Sequence, residues 1–206
     1  MSKSTIFDLY ETLGKRPVKI METKKECAVL LVFTEKDGEV FLLFETRSDH
    51  ISQPGEVCFP GGVLMEGEKP LDCALRETFE ELSIPKHKIR IIGPLDILHN
   101  YTNMTIYPFA AVVSYEEVKD LQGNEEVKDT FLVPLKFFQE NEPYIYKYKV
   151  VPEIGEDFPY HMLDAKEKYR WRTGSFTVPI FQYEGKIIWG ITARILCHLL
   201  EILKNG

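Results

Sequence analysis

The sequence predicts an α/β fold in which a mixed β-sheet is held between helices. Strand-like and helix-like patterns alternate irregularly along the 206 residues, which fits a mixed sheet covered by helices. Residues 28–33, AVLLVF, form a near-continuous apolar run, as expected of a strand buried on both faces. Two segments, one beginning at Pro70 and one at Thr192, repeat apolar residues at the three-and-four spacing of an amphipathic helix. With 44% hydrophobic residues the chain can bury a proper core, and one domain is the default for this length.

Each element has its own signal. Residues 4–14 suggest a short helix with Ile6, Leu9, Tyr10 and Leu13 on one face, within an N-terminal helical extension over 1–22. The run at 28–33 is followed by Lys36-Asp37-Gly38-Glu39, a turn, and by a returning strand over 40–46, together a hairpin. Pro70 suits the first turn of a helix, where its missing N–H is not needed. From there Leu71, Ala74, Leu75, Thr78 and Leu82 stack into one apolar stripe. Strands are expected over 89–98, 104–113 and 127–133, then a short helix or turn over 134–138. Two more strands follow over 144–151 and 176–183, with a polar loop between them. The terminal helix over 192–203 should place Ile195, Leu196, Leu199, Leu200 and Leu203 in the core. No internal repeat, low-complexity segment or linker is evident.

Composition excludes some classes of function. A net charge of -7 argues against nucleic-acid coating, for which basic patches are expected. No apolar run reaches membrane-spanning length, and the polar, amphipathic residues 1–16 do not read as a signal peptide. Cys27, Cys58, Cys73 and Cys197 show neither CxxC pairing nor zinc spacing, and three lie in apolar patterns, as buried free thiols do. A cytoplasmic protein is the expectation. The oligomeric state is left open, with a homodimer among the options.

The chemistry concentrates in residues 62–84, GVLMEGEKPLDCALRETFEELSI. On the helix starting at Pro70, Glu77 and Glu81 lie four apart and Glu80 three from Glu77, so all three share a face beside the apolar stripe. Like charges at this spacing destabilise an isolated helix by a few tenths of a kcal/mol. Hard carboxylate oxygens suit Mg²⁺ or Mn²⁺, which also recruit water and substrate phosphates. The alternative is a solvated acidic face; Gly61-Gly62 ahead of the helix, Glu68 at its interval and Arg76 before Glu77 weigh against it.

These residues resemble the Nudix box, G-x5-E-x7-R-E-U-x-E-E-x-G-U, with Gly62, Glu68, Arg76, Glu77, Glu80 and Glu81 on the fixed letters and Ile84 on the last apolar one. The chain departs from it at Ser83, where the family has glycine, and at Thr78, where a bulky aliphatic is commoner. The segment before the box, LLFETRSDHISQPGEVCFPGG over 42–62, resembles the signature of coenzyme A diphosphatases within that family. The terminal IWGITARIL over 187–196 is similar to what those proteins carry near their end. Between Arg47-Ser48 and Pro54-Gly55 the usual second basic residue is replaced by His50, Ser52 and Gln53. His50 reads as a polar loop residue.

The resemblance implies an α/β/α sandwich with a mixed sheet. It also implies Mg²⁺- or Mn²⁺-dependent hydrolysis of the CoA diphosphate to 3′,5′-ADP and 4′-phosphopantetheine. Glu77 and Glu81 would ligate the metal, with Glu80 as third ligand or through water, and Arg76 would orient a box glutamate. Arg47 would hold a phosphate of the small, nucleotide-type substrate, and Gly61 and Gly62 would allow its close approach. Glu126 is the candidate outside the box for a further ligand or base. The same box serves hydrolases of ADP-ribose, NADH and nucleoside triphosphates, and a non-catalytic binding module is the reading from a different class.

Overall fold

The computed structural model describes residues 5–163 and 169–206. Its first helix, α1 (Ile6–Gly14), begins at a reciprocal cap. The Asp8 N–H donates to Thr5 Oγ1 at 3.2 Å, and the Thr5 N–H donates to Asp8 Oδ2 at 2.7 Å, satisfying two otherwise free donors. Ser4, included in the expected helix, lies outside the described residues. None of the residues of α1 is buried, so its apolar stripe rests on no part of the core.

Strands β1 (Lys25–Lys36) and β2 (Glu39–Arg47) form the expected hairpin. Its turn residues Asp37 and Gly38 both have positive φ, the backbone that best matches the twist of the flanking strands. Then come β3 (Val57–Cys58), β4 (Gly61–Val63) and helix α2 (Pro70–Leu82). Next are β5 (Arg90–Pro94), β6 (Leu98–His99), β7 (Met104–Val112), the single turn α3 (Tyr115–Val118) and β8 (Val127–Pro134). Helix α4 (Leu135–Glu140), β9 (Tyr144–Val150), β10 (Gly174–Tyr183), β11 (Lys186–Trp189) and α5 (Gly190–Asn205) complete the order.

The single strand expected over 89–98 is two. β5 is irregular between Ile91 and Gly93 and ends at Pro94, because proline has no N–H for the ladder and glycine weakens a strand interior. Short strands β3, β4 and β11 and the turn α3 escaped the sequence reading, since two to four residues cannot display a period. Part of the polar loop between β9 and β10, residues 164–168, lies outside the described residues.

The main sheet runs β3-β2-β1-β7-β5, with β4 pairing β1, β6 pairing β7 and β8 pairing β2. β1 pairs in parallel with β7 and antiparallel with β2, so the sheet is mixed. Alternation along β1 splits the core in two. Ala28, Leu30 and Val32 meet Cys73, Ala74, Leu75 and Leu82 of α2, while Leu31 and Phe33 share the opposite cluster with Ala193, Ile195, Leu196 and Leu199 of α5. The result is the α/β/α sandwich, with the small sheet β11-β10-β9 contributing Phe181 and Ile188 to the α5 side. Full burial of a leucine such as Leu30 is worth about 1.5–3 kcal/mol. Leu203, expected in the core, is 49% exposed, because α5 runs past the edge of that cluster in its last turn. Cys73 is buried, the other three cysteines are partly buried, and all four are free thiols.

Both departures on α2 are accommodated locally. Thr78 is fully buried, and its hydroxyl donates to the Ala74 carbonyl at 2.7 Å, so no polar atom is stranded. Ser83 closes the helix in the left-handed region, at φ 57° and ψ 23°, with its N–H on the Phe79 carbonyl. A side chain there costs about 1 kcal/mol, partly offset by glycine's greater freedom in the unfolded chain. Ser83→Gly should therefore raise stability by about 0.5 kcal/mol without changing the fold. An unchanged or lowered midpoint in urea unfolding would contradict that balance.

Candidate metal and phosphate site

The candidate site is built where α2 crosses β4, and its geometry starts from two glycines. Gly61 has φ +154°, and a Cβ there would come within 2.3 Å of the Ala28 carbonyl oxygen. A Cβ on Gly62 would fall 2.4–2.6 Å from the carboxylate atoms of Glu77. Gly61 thus packs directly on the β1 backbone, where a side chain would not fit, and Gly62 packs on the Glu77 carboxylate of α2. The Gly61 N–H donates to Glu81 Oε2 at 2.8 Å, and Cys73 Sγ lies 3.6 Å from the Gly62 carbonyl. Gly61 and Gly62 therefore set the carboxylates of α2 against the sheet edge.

Arg76 gathers the remaining acids. Its Nε and Nη2 reach the two oxygens of Glu68 at 2.9 and 3.0 Å, and its Nη1 reaches Glu77 at 2.7 Å and Glu80 at 2.9 Å. The planar guanidinium supplies the fork that a bidentate carboxylate contact requires. Glu68 also accepts the Met65 N–H, and the two bonds together hold its carboxyl down at about 2. Arg76, through Glu68 in the first place, is fixed in its charged form.

Glu81 differs from its neighbours. It is only 5% exposed and forms no ion pair among the described residues. Burial, and then the nearby Glu45, push its pKa strongly upward, against the Gly61 N–H. Glu45 was not anticipated. It is 1% exposed, sits on β2 opposite Cys58, and accepts a hydrogen bond from the Cys58 thiol at 3.3 Å on Oε1. Its Oε2 is buried with no hydrogen-bond partner among the described residues. Burial raises its pKa as well, and the adjacent charges of Glu126 and Glu77 add to the effect. Two carboxylates this close and this dry resist being ionised together. The available sequence signal was an acid directly following the buried run Leu42-Leu43-Phe44.

Half-buried Glu77 is raised mainly by desolvation, with Arg76 opposing. Glu126 is exposed on the loop before β8 yet acts electrostatically on Glu45, Glu77 and Glu81. Its position comes from Asn124, a second residue that sequence reasoning missed. Asn124 Nδ2 donates to the Glu80 and Glu81 carbonyls at 3.2 and 2.8 Å, and its Oδ1 accepts the Glu126 and Val127 N–H groups. One amide side chain thereby ties the open carbonyls at the end of α2 to the loop that carries Glu126.

Arg47 lies on the same face of β2 as Glu45, two residues on. The β8 partner of β2 jumps from Asp129 to Val127 between Thr46 and Arg47, a bulge of the kind found beside functional sites. Arg47 Nε donates to the Ser52 carbonyl at 2.9 Å, and its backbone holds Glu56 and Gly55, so it pins the loop over 48–55. His50 is exposed in that loop.

The donor set suits a hard divalent cation. A buried carboxylate oxygen lacks a partner, and Glu77 and Glu81 converge from consecutive turns of one helix face. Among the described residues no three side chains are already arranged as a ligand set, because Glu77 and Glu80 are turned onto Arg76. A cation would draw them away from it. A concavity of about 680 Å³ lies on the α5 side, lined by Phe138, Ile145, Phe181 and Leu200, away from these acids. The site is thus defined by its chemistry rather than by cavity size. No helix among the described residues is long and apolar enough to cross a membrane.

Comparison with known proteins identifies the family. The NUDIX domain family model matches residues 24–153. The chain is 30% identical over 146 residues to the mouse (Mus musculus) protein named peroxisomal coenzyme A diphosphatase NUDT7, covering 68% of this chain and 59% of the relative. It is 32% identical over 124 residues to Nudix hydrolase 3 of Caenorhabditis elegans, covering 58% and 52%. The matched regions thus span less than two thirds of either protein. A relative from Photorhabdus laumondii, named uncharacterized Nudix hydrolase NudL, matches at 28% over 187 residues, covering 90% of this chain and 88% of its own. Among solved structures, a C. elegans Ap4A hydrolase aligns over 53% of this chain and 80% of its own, with TM-score 0.46 and 22% identity. The match of the family model to well over half of the chain shows that the protein belongs to the Nudix family.

Proposed function

We propose that the protein is a Mg²⁺- or Mn²⁺-dependent hydrolase that cleaves the diphosphate of coenzyme A or its derivatives into 3′,5′-ADP and 4′-phosphopantetheine. The observation that carries hydrolysis is the convergence of Glu77 and Glu81 on the glycine strand, with Arg76 braced by Glu68 beside them. The CoA assignment is supported by the signature over 42–62 and by the name of the mouse relative.

In this reading Glu77 and Glu81 hold the metal, with Glu80 as third ligand or through water. Arg76 keeps Glu77 and Glu80 oriented, and Arg47 contacts a substrate phosphate through guanidinium donors not committed to Ser52. A bound divalent cation supplies charge neutralisation at phosphorus and a water of lowered pKa. Glu126, on the loop that Asn124 holds, would accept the proton of the attacking water. The side-chain positions of Gly61 and Gly62 are filled by β1 and by the Glu77 carboxylate, so the expected approach of substrate there gives way to a role in placing Glu77 and Glu81. Four free cysteines support a reducing compartment such as the cytoplasm.

A second reading, hydrolysis of ADP-ribose, NADH or a nucleoside triphosphate, is favoured by one observation. The loop over 48–55 carries His50, Ser52 and Gln53 in place of the second base of the CoA signature. A non-catalytic module is disfavoured because every box glutamate is present.

Three measurements test this. Purified protein with Mg²⁺ and, separately, CoA, ADP-ribose, NADH and a nucleoside triphosphate should release 3′,5′-ADP from CoA at the highest kcat/KM. Arg47→Ala should lower that value about ten-fold or more, as expected for loss of a phosphate contact. Preference for another substrate would discard the CoA assignment, and no turnover of any would favour the binding module. Glu81→Gln should abolish turnover while leaving the metal-free melting temperature unchanged or higher, since it removes a buried ionisable group; a retained rate would remove Glu81 from the metal site.

The pH dependence follows from the raised carboxyls. Glu81, Glu45 and Glu77 bind protons more tightly in the fold than in the unfolded chain, so their stabilisation is complete below the ordinary carboxylate range and is lost as pH rises. Melting of the EDTA-treated protein should fall steadily from about pH 5 to 9, and Mg²⁺ should restore most at the alkaline end. A flat profile would contradict the burial of these groups. Glu68, shifted the other way, acts only below that window.

A further inference from the structure

We infer that Glu45 is a ligand of the divalent cation together with Glu81 and Glu77, contributed from the sheet rather than from the helix motif. The inference rests on the metal-dependent reading above and adds to it a residue outside both the box and the loop that carries Glu126.

Five observations converge on it. Glu45 is 1% exposed, and its Oε2 has no hydrogen-bond partner among the described residues. A buried carboxylate oxygen left unpaired is costly, and such groups in native proteins are usually paired, hydrogen-bonded or metal-bound. Its direction is set by the sheet: Leu43, two residues earlier, packs in the cluster shared with α2, and alternation puts Glu45 on that same α2-facing side.

The segment 58–61 fixes the separation of the two acids. Cys58 contacts Glu45 at one end, and the Gly61 N–H contacts Glu81 at the other. Of all charged neighbours, Glu45 acts most strongly on Glu81. Finally, neither acid is in an ion pair among the described residues. Arg76 is committed to Glu68, Glu77 and Glu80, and Arg47 lies near enough to act on Glu45 but not to pair with it. Two buried acids facing each other without a cation are a half-built cation site. The oxygen number needed by Mg²⁺ or Mn²⁺, several carboxylates with waters filling the rest, is met more closely with Glu45 than with α2 alone.

The test is a titration of the metal-free protein with Mn²⁺, following the electron paramagnetic resonance signal of the free ion, beside thermal melts of the same samples. Glu45→Gln, which keeps volume and the Cys58 contact, should weaken Mn²⁺ binding about ten-fold or more. Its metal-free melting temperature should be unchanged or higher. Glu45→Asp, which keeps the charge on a shorter arm, should weaken binding by less, and decides the matter if the glutamine variant does not fold. Mn²⁺ affinity within two-fold of native in the Glu45 variants, with binding lost in Glu81→Gln, would overturn the assignment and leave Glu45 as a partner of Cys58 alone. Absence of Mn²⁺ binding by the native protein would overturn the metal-dependent reading itself, and this inference with it.

Discussion

The site depends on the absence of two side chains. Strand β4 lies against β1 at Gly61, where a methyl group would collide with the Ala28 and Val29 backbone, and against α2 at Gly62, where it would meet the Glu77 carboxylate. That contact is possible because apolar burial between α2 and β1 drives the helix onto the sheet, with Ala74, Leu75 and Leu82 against Ala28, Leu30 and Val32. Hydrophobic packing thus sets the position of the acids. Side chains that would otherwise be solvated are carried into a region where desolvation is a large cost.

The electrostatic arrangement divides the acids into two groups. Glu68, Glu77 and Glu80 share Arg76, which offsets part of their charge, with Glu68 the strongest partner. Glu81 and Glu45 lie deeper and face each other, tied only to a backbone N–H and a thiol. The first group is satisfied by the protein alone; the second is not. An acidic protein can still receive an anionic diphosphate if a cation reverses the local field.

Much of this was legible in the sequence because it is local. The helix from Pro70, its apolar stripe and the three carboxylates on one face all follow from spacings shorter than two helical turns. The β1–β2 hairpin and the double-sided burial of residues 28–33 were equally local. Glu45 and Asn124 were not legible, since their roles come from contacts across 36 and 43 positions of sequence, to Glu81 in each case. A single acid after an apolar run, or one asparagine in a polar loop, carries no periodic signal. The N-terminal helix shows the converse: its amphipathic pattern was read correctly, yet pattern cannot say whether a core awaits it, and here none of its residues is buried.

The thiols around the acids draw a further consequence from the same crowding. Cys58 lies beside Glu45 with Glu81 nearby, and Cys73 beside Glu68 and Glu77; burial first, and these charges next, push both thiols upward, Cys73 to about 12. Oxidation and alkylation proceed through the thiolate. Burial and the neighbouring acids therefore keep Cys58 and Cys73 in the thiol form, which slows their reaction with oxidants and electrophiles.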